Sequence, residues 1–497
     1  MSKLFCHPVS VSIKKIRSTL TTPAGAAVAI FIAAALLRLC LLNVAYYSAV
    51  GELYRDMEVI WNMFHFGRWP LLGPSSALGG FYFGAFYYYI EGLFVFLFRF
   101  VPYGAVFSST FFSLLSLPLL YLLCRKWFIN PWVATLAVGI QSVALFDIQN
   151  SYYVSNPNFL PAFFLAMCLV LTYLSERPQI WHYAALGLIL GVATQLHATA
   201  LVLMPVMVAA VVWKYKIRPR WWEAALVLLL WAACFAPYII YEFTHNFELV
   251  RALLAITHKE TASGNRWLVF LGFLNFFGSF FIFKDGAFNF YPGFASAFLA
   301  AVALAGILIA AAVWISWRRH FRPSQGMLRP IGKTMMLVWF WGGLLMYLIS
   351  AVPPAYYYYI IMWPLPVLLA AWWLGSLSQV SKKDFVLLLS GYMALQLFCA
   401  GVFFVDIYQP EYSYADIQRV MATIKTAGAG KDYLIVNQAL DINQFLYYLR
   451  LNGLRAQSRH GASHYIYFNL VDCPAGGGVA LGPVLHPGNL CVQQKQK

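Results

Sequence analysis

Long apolar runs separated by short polar stretches make up most of this chain. Runs long enough to cross a hydrocarbon core of about 30 Å lie at 24–42, 106–123, 132–149, 159–175, 182–197, 199–213, 222–241, 292–316, 334–352, 358–376 and 384–405. Each predicts a membrane-spanning helix. Two further runs, 81–100 and 267–283, are ambiguous between spanning and interfacial placement. Beyond residue 405 the pattern changes, because polar residues prevail and the periodic stretches become short. Helices are expected over 414–426 and 443–451, strands over 433–437 and 465–470, and a loop at Gly476-Gly477-Gly478. The expected fold class is an all-α polytopic membrane protein of about 11–13 spans, with interfacial helices in its first external loop and a small C-terminal α/β domain. Its parts are a tail over 1–22, a membrane domain over 23–405 with a first loop over 43–105, and an α/β domain over 406–497.

Charge orients the spans. Treating both ambiguous runs as interfacial places Arg125-Lys126, the cluster from Lys214 to Arg220, Arg318-Arg319, Arg322, Arg329, Lys333 and Lys382-Lys383 on one side. The positive-inside rule makes that side cytoplasmic, with the N-terminus inside and the C-terminus outside. Acids give an independent check. Glu52, Asp56, Glu58, Glu91, Glu242, Glu248, Glu260 and Asp285 then all fall outside, whereas only Glu176, Glu223 and Asp384 fall inside.

Composition narrows the function classes. Hydrophobic residues form 61% of the chain and charged residues 10%, which excludes an ordinary soluble globule. The net charge of +16 sits in loop clusters, so anionic lipid rather than nucleic acid is the expected electrostatic partner. No Walker A sequence, His-Glu-x-x-His, Cys-x-x-Cys or Asp-x-Asp occurs. The first apolar run lacks a cleavage site and reads as an uncleaved span. Most cysteines read as small hydrophobes. Cys473 and Cys491 lie in the polar tail and are open to pairing in an oxidising compartment.

Acids are scarce, 18 in 497 residues, yet Glu52, Asp56 and Glu58 fall together just after the first span. On a helix over 51–66, Glu52 and Asp56 share a face at i, i+4, while Glu58 points nearly the opposite way. Two readings stay open on the residues alone. One is an amphipathic helix with solvated acids and Trp61, Phe64 and Phe66 in lipid. The other is a catalytic loop at the outer membrane face.

A family resemblance bears on that choice. Leu37-Arg38-Leu39 ends the first span, and an external Asp56 follows at the start of a helix. Then come Gly67-Arg68-Trp69-Pro70 and Gly79-Gly80-Phe81-Tyr82, leading into an aromatic run. This resembles the multi-spanning, C-type glycosyltransferases of the protein O-mannosyltransferase and lipid A aminoarabinose transferase superfamily, which use polyisoprenyl-phosphate sugars. The resemblance implies that Asp56 is the catalytic base, although Met57 stands where the family often has Glu. Later motifs are similar in kind. Asn156 or Asn158 takes the place of a second Asp; Gln195-Leu196-His197 resembles a Gln-x-His; Pro237 to Glu242 resembles a Pro-x-x-x-x-Glu; and Tyr356 to Tyr359 precede Pro364.

The resemblance and the depth of each residue together imply a site. Asp56 deprotonates the acceptor in line with the anomeric carbon. Arg38, Arg55 and His197 are the candidates for holding the donor phosphate, with Arg68 an interfacial anchor. Buried Arg38 is expected to have a phosphate or carboxylate partner. Glu58, Tyr82, Asn156, Asn158, Gln195, Glu242, Tyr357 and Tyr358 are candidates for contacting substrate. One base suits a single inverting displacement rather than a two-carboxylate mechanism. No cofactor is assigned, and one carboxylate facing an Asn makes a poor divalent site. Expected partners are a polyisoprenyl-phosphate sugar, membrane lipid, and an acceptor among lipid A, envelope glycan or protein. The rival readings are a lipid-linked glycan ligase or polymerase, a transporter or flippase with midplane charges or broken helices, and a non-catalytic scaffold.

Overall fold

The computed structural model describes residues 21–40, 42, 52–76, 81–252, 328–349 and 356–407, with parts of 418–426, 433–437, 442–454, 466–473 and 489–496 in the tail. The runs expected at 267–283 and 292–316 and the Gly476-Gly477-Gly478 loop lie outside the described residues.

The chain opens with α1 (Pro23–Cys40), then α2 (Glu52–Phe66). A two-stranded hairpin follows, β1 (Leu72–Ser75) antiparallel to β2 (Tyr82–Gly84), and leads into α3 (Phe86–Leu97). The bundle continues with α4 (Tyr103–Trp127), α5 (Pro131–Val143), α6 (Leu145–Tyr152), α7 (Leu160–Glu176), α8 (Ile180–Leu196), α9 (Ala198–Lys214), α10 (Trp221–Cys234) and α11 (Ala236–Thr244). It ends with α12 (Pro330–Ile349), α13 (Pro364–Val380) and α14 (Lys382–Ile407). Short 3-10 turns at Asn156–Phe159 and Tyr356–Met362 lead into α7 and α13.

Among the described residues, six helices are long and apolar enough to cross a membrane, or up to eight when α5–α6 and α10–α11 each count as one bent span. Each apolar run expected to span within these residues is helical, and α8 and α9 are slightly shorter apolar helices. The ambiguous run at 81–100 resolves into a strand and the 12-residue α3. At 1.5 Å per residue α3 reaches about 18 Å, too short to cross.

Burial locates the core. The spans at Tyr103–Trp127, Asn156–Glu176 and Tyr358–Val380 are 61%, 67% and 72% buried, whereas Pro23–Cys40 and Lys382–Gly401 are only 17% buried. The first three form the centre, and α1 and α14 flank it with apolar faces that suit lipid. The bends at the α5–α6 and α10–α11 breaks are 57° and 59°. At the α10–α11 break, Pro237 lacks the amide that would bond the Ala233 carbonyl and so interrupts the helix; the α5–α6 junction at Ala144 carries neither Gly nor Pro. Side chains from elsewhere meet the freed backbone groups. Gln396 Oε1 accepts from the Leu145 amide at 2.9 Å, and Gln195 Nε2 donates to the Cys234 carbonyl at 2.8 Å.

The bundle has two chemically distinct ends. At one, Lys126 pairs with Glu176 at 2.6 Å, the Arg329 amide donates to the Trp127 carbonyl, and Thr135 bonds the Pro23 carbonyl. The described basic clusters expected on one side meet here, at the starts or ends of successive helices. At the opposite end lie α2, α3, the hairpin and the tail.

In the tail, β3 (Tyr433–Asn437) pairs parallel with β4 (Ile466–Cys473), and β5 (Asn489–Gln496) pairs antiparallel with β4. Between β3 and β4 runs α15 (Ile442–Leu451). The expected strand at 433–437 and helix at 443–451 are present, and the described positions within 418–426 are helical. The third strand was not expected, because Asn489-Leu490-Cys491-Val492-Gln493-Gln494 carries few apolar residues. In the register of this pair, Cys473 stands opposite Asn489 and Cys491 opposite Val471, so the two cysteines are offset by two positions.

Candidate functional site

Asp56 lies in the second turn of α2, and its helix is amphipathic. Leu53, Met57, Ile60 and Met63 are buried against the bundle, and that packing rather than propensity holds so short an interfacial helix in place. Asp56 falls on the buried side and is only 2% exposed. Its carboxylate is bonded asymmetrically. Arg55 Nε donates to Oδ1 at 2.9 Å, and the Tyr88 hydroxyl donates to the same oxygen at 3.0 Å. Oδ2 receives no hydrogen bond from the described residues. Burial pushes the Asp56 carboxyl up to about 6, against the opposing pull of Arg55 and Tyr88. The same burial, together with the Asp56 charge, raises the Tyr88 phenol, so Tyr88 remains a donor.

Beneath this group sits Glu91, which the motif reading had not assigned to the site. It lies one turn beyond Tyr87 and Tyr88 on α3 and is fully buried. Among the described residues, neither carboxylate oxygen, nor the Tyr87 hydroxyl, has a hydrogen-bond partner of good geometry. Burial, and then the neighbouring Asp56 charge, push its carboxyl well up, which favours its uncharged form. A signal for it was present in the chain, since Glu91 is the one charged residue in the otherwise apolar helix Phe86–Leu97. The site helices meet closely at Gly92, where a Cβ would come within 2.5 Å of Met63 Cε.

Glu58 turns away from Asp56, as helix geometry requires. It accepts from Asn62 and pairs with Arg450 of α15. The tail therefore docks on the back of the Asp56 helix. Tyr54 and Tyr448 share a hydrogen bond at 3.2 Å, and the Trp61 ring meets Tyr447 edge-on.

A second group surrounds the junction of α8 and α9. His197 is 5% exposed; its ring lies 5.5 Å from Phe83 and 4.8 Å from Tyr358, and the Thr199 amide donates to its Nδ1. Asn156 donates to the Leu196 carbonyl. Gln195 spends its amide on the Gly191 and Cys234 carbonyls. The hairpin presses against Gln195 so closely that a Cβ on Gly84 would lie 2.0 Å from Oε1, and only glycine fits there. Since β2 runs directly into α3, this contact links His197 and Gln195 to Tyr88 and Asp56.

Other expected site residues fall elsewhere. Arg38 is fully buried, and its Nη2 pairs with Asp147 Oδ2 at 2.9 Å, which is the carboxylate alternative among its expected partners. Ser113 donates to the same oxygen, while Arg38 Nη1 donates to the Ser142 carbonyl freed by the α5–α6 break. Asn158 donates to the Asn150 carbonyl and lines a cavity of about 10 Å³ shared with Ser113, Asp147 and Trp363, room for one water. Glu242 accepts from the Leu249 and Val250 amides at 3.2 and 3.4 Å, capping the turn after α11. Tyr82 is 39% exposed on β2. Tyr357 contributes its backbone to the 3-10 turn before α13. No three His, Cys, Asp or Glu side chains cluster among the described residues.

The chain, a polytopic bundle with an acid-bearing helix, a hairpin and bent spans, shares its fold with solved membrane glycosyltransferases of the C type. The solved structures it is similar to include ArnT from Cupriavidus metallidurans bound to undecaprenyl phosphate, with 14% identity over 94% of this chain and 97% of that one, at a TM-score of 0.53. The apo state of that ArnT matches at 15% identity over 95% and 98% of the two chains, with a TM-score of 0.52. The Archaeoglobus fulgidus oligosaccharyltransferase in complex with Zn and sulfate matches at 13% identity, over 88% of this chain and 59% of that one, with a TM-score of 0.47. No protein-family model matches the chain, and no curated protein matches it by sequence.

Proposed function

We propose that this chain is an integral-membrane glycosyltransferase. It moves a sugar from a polyisoprenyl-phosphate donor to a hydroxyl or amine acceptor at the membrane face that carries α2. The observation that carries this reading is the one-sided clamp on Asp56, in a fold shared over nearly its whole length with a protein captured on undecaprenyl phosphate. Arg55 and Tyr88 fix Oδ1, so Oδ2 is the free basic atom. As the acceptor attacks the anomeric carbon, Oδ2 takes the acceptor proton. The bond from that carbon to the phosphate oxygen breaks, the polyisoprenyl phosphate leaves with the electron pair, and configuration inverts in a single displacement. A carboxyl acidity near 6 leaves Asp56 ionised, yet basic enough, at neutral pH.

Of the three cations proposed for the phosphate, Arg55 has its side chain 38% exposed, whereas Arg38 is enclosed with Asp147. Arg55 therefore takes the direct role in this reading and steadies the departing phosphate. Arg38 supports the broken span beside it. His197, held between Phe83 and Tyr358, shapes the wall of the site.

The decisive experiment supplies purified wild type and Asp56→Asn with a panel of polyprenyl-phosphate sugars and candidate acceptors. Wild-type turnover that vanishes in the folded variant supports the reading. Undiminished turnover in Asp56→Asn overturns Asp56 as base.

A second reading has its own observation. The two bent helix pairs are the broken helices set out above for a carrier of lipid-linked sugars. Liposomes holding fluorescent polyprenyl-phosphate sugar separate the two. Lipid translocation without sugar transfer would favour the carrier.

A further inference from the structure

At the basic end of the bundle, remote from Asp56, a groove of about 430 Å³ opens between α1, α5, α13 and α14. Its apolar walls come from Ile30 on α1, Leu136 and Gly139 on α5, and Phe385, Leu389 and Met393 on α14. The last three recur every four residues and so share one face of α14. From Phe385 to Met393 that face runs about 12 Å, most of one leaflet of a hydrocarbon core about 30 Å thick.

Two glycines shape the groove. Gly375 lets α13 approach α5, since a Cβ there would lie 2.6 Å from Val133 Cγ2. Gly139 leaves the slot open, because its Cβ would meet only Ile30 Cδ1, at 3.7 Å.

The mouth of the slot is cationic. Lys382 lies three residues before Phe385 and on the same face; Lys383 is turned about 100° further round α14, and both line a separate, shallower hollow with Val386, Leu387 and Ser390. Both are exposed, and neither forms an ion pair among the described residues. The neighbouring acid, Asp384, points to the other side of the helix, about 200° from Lys382. An apolar slot most of one leaflet deep, with the exposed Lys382 ammonium at its mouth and Lys383 close by, matches one ligand chemistry, a phosphate-bearing anionic headgroup above an acyl chain.

We infer that this groove is a binding site for an anionic phospholipid of the leaflet at the basic end, with the acyl chain between α14 and α5, the headgroup phosphate on Lys382, and Lys383 adding to the positive field at the mouth. The site does not depend on the glycosyltransferase reading.

The test uses the full-length protein in phosphatidylcholine nanodiscs and titrates spin-labelled phosphatidylglycerol against spin-labelled phosphatidylcholine. Wild type is expected to immobilise phosphatidylglycerol selectively. The Lys382→Gln/Lys383→Gln variant should weaken that binding roughly 30-fold, from about 1 kcal/mol per basic residue. Gly139→Leu should abolish immobilisation by filling the slot, and Met393→Trp does so from the opposite wall should Gly139→Leu fail to fold. Equal binding of the two lipids by wild type overturns the inference. So does undiminished phosphatidylglycerol binding in a folded slot-filling variant, because the lysines would then attract headgroups at the surface only.

Discussion

Two aspartates in this chain meet an arginine at the same distance, 2.9 Å, and both are nearly inaccessible. Asp147 sits inside the bundle with its carboxylate shared among Arg38, Ser113 and Gln141. Its arginine is fully buried and also holds the Ser142 carbonyl at the break between α5 and α6. Asp56 sits at the rim, with both of its bonds on one oxygen and a partner that is 38% exposed. Burial alone therefore does not mark out the carboxylate proposed as the base. What distinguishes the two is whether an oxygen remains free to take a proton, and whether the counter-ion remains free to meet a substrate.

The largest effect should come from the enclosed pair. Arg38→Met leaves Asp147 buried without its cation and should destabilise the fold by about 3–5 kcal/mol, read as a lowered melting temperature in detergent. Adding Asp147→Leu should restore much of the loss, since removing both charges leaves none unpaired. No recovery in the double variant would mean that the pair specifies the bend rather than neutralising itself.

Asp56→Asn should leave melting almost unchanged while transfer falls about 10²–10⁴-fold, the usual contribution of a positioned base. In wild type, kcat/KM should rise with pH through a limb near 6 and level off above it, because in the proposed reaction only ionised Asp56 accepts the proton. A smaller change is expected for Tyr88→Phe. Its hydroxyl favours the charged form of Asp56, so its loss should move the limb to higher pH and cost about 1 kcal/mol of transition-state stabilisation. Smallest of all should be Glu91→Gln. Burial favours the uncharged acid, so the amide should leave the limb in place; a downward shift of the limb would show that Glu91 carries charge beside Asp56.

The same comparison shows what could be read from the chain. Apolar run lengths were enough for the spans, and the 100° step of a helix was enough to part Asp56 from Glu58. The short helix at Phe86–Leu97 followed from charge balance across the loops. Pro237 marks the break at Phe235 locally, but local pattern could not reveal the one at Ala144, which has no Gly or Pro beside it and whose compensating Gln396 is remote in sequence. Nor could it pair Arg38 with Asp147, 109 residues away. The strand Asn489–Gln496 was hidden because its ladder with β4, not an alternating apolar face, defines it. Tyr88 was visible only as part of an aromatic run, and its hydrogen bond to Asp56 depends on how α2 and α3 pack.

One contact also bears on how the molecule is made. Tyr54, two residues before Asp56, bonds Tyr448, which is synthesised 394 residues later. A chain inserted from its N-terminus would expose the α2 helix early, with the flank that receives Tyr447, Tyr448 and Arg450 still bare. Maturation of that helix would wait for the tail to be delivered to the same membrane face, so a truncated product would remain unfinished at its own proposed catalytic helix.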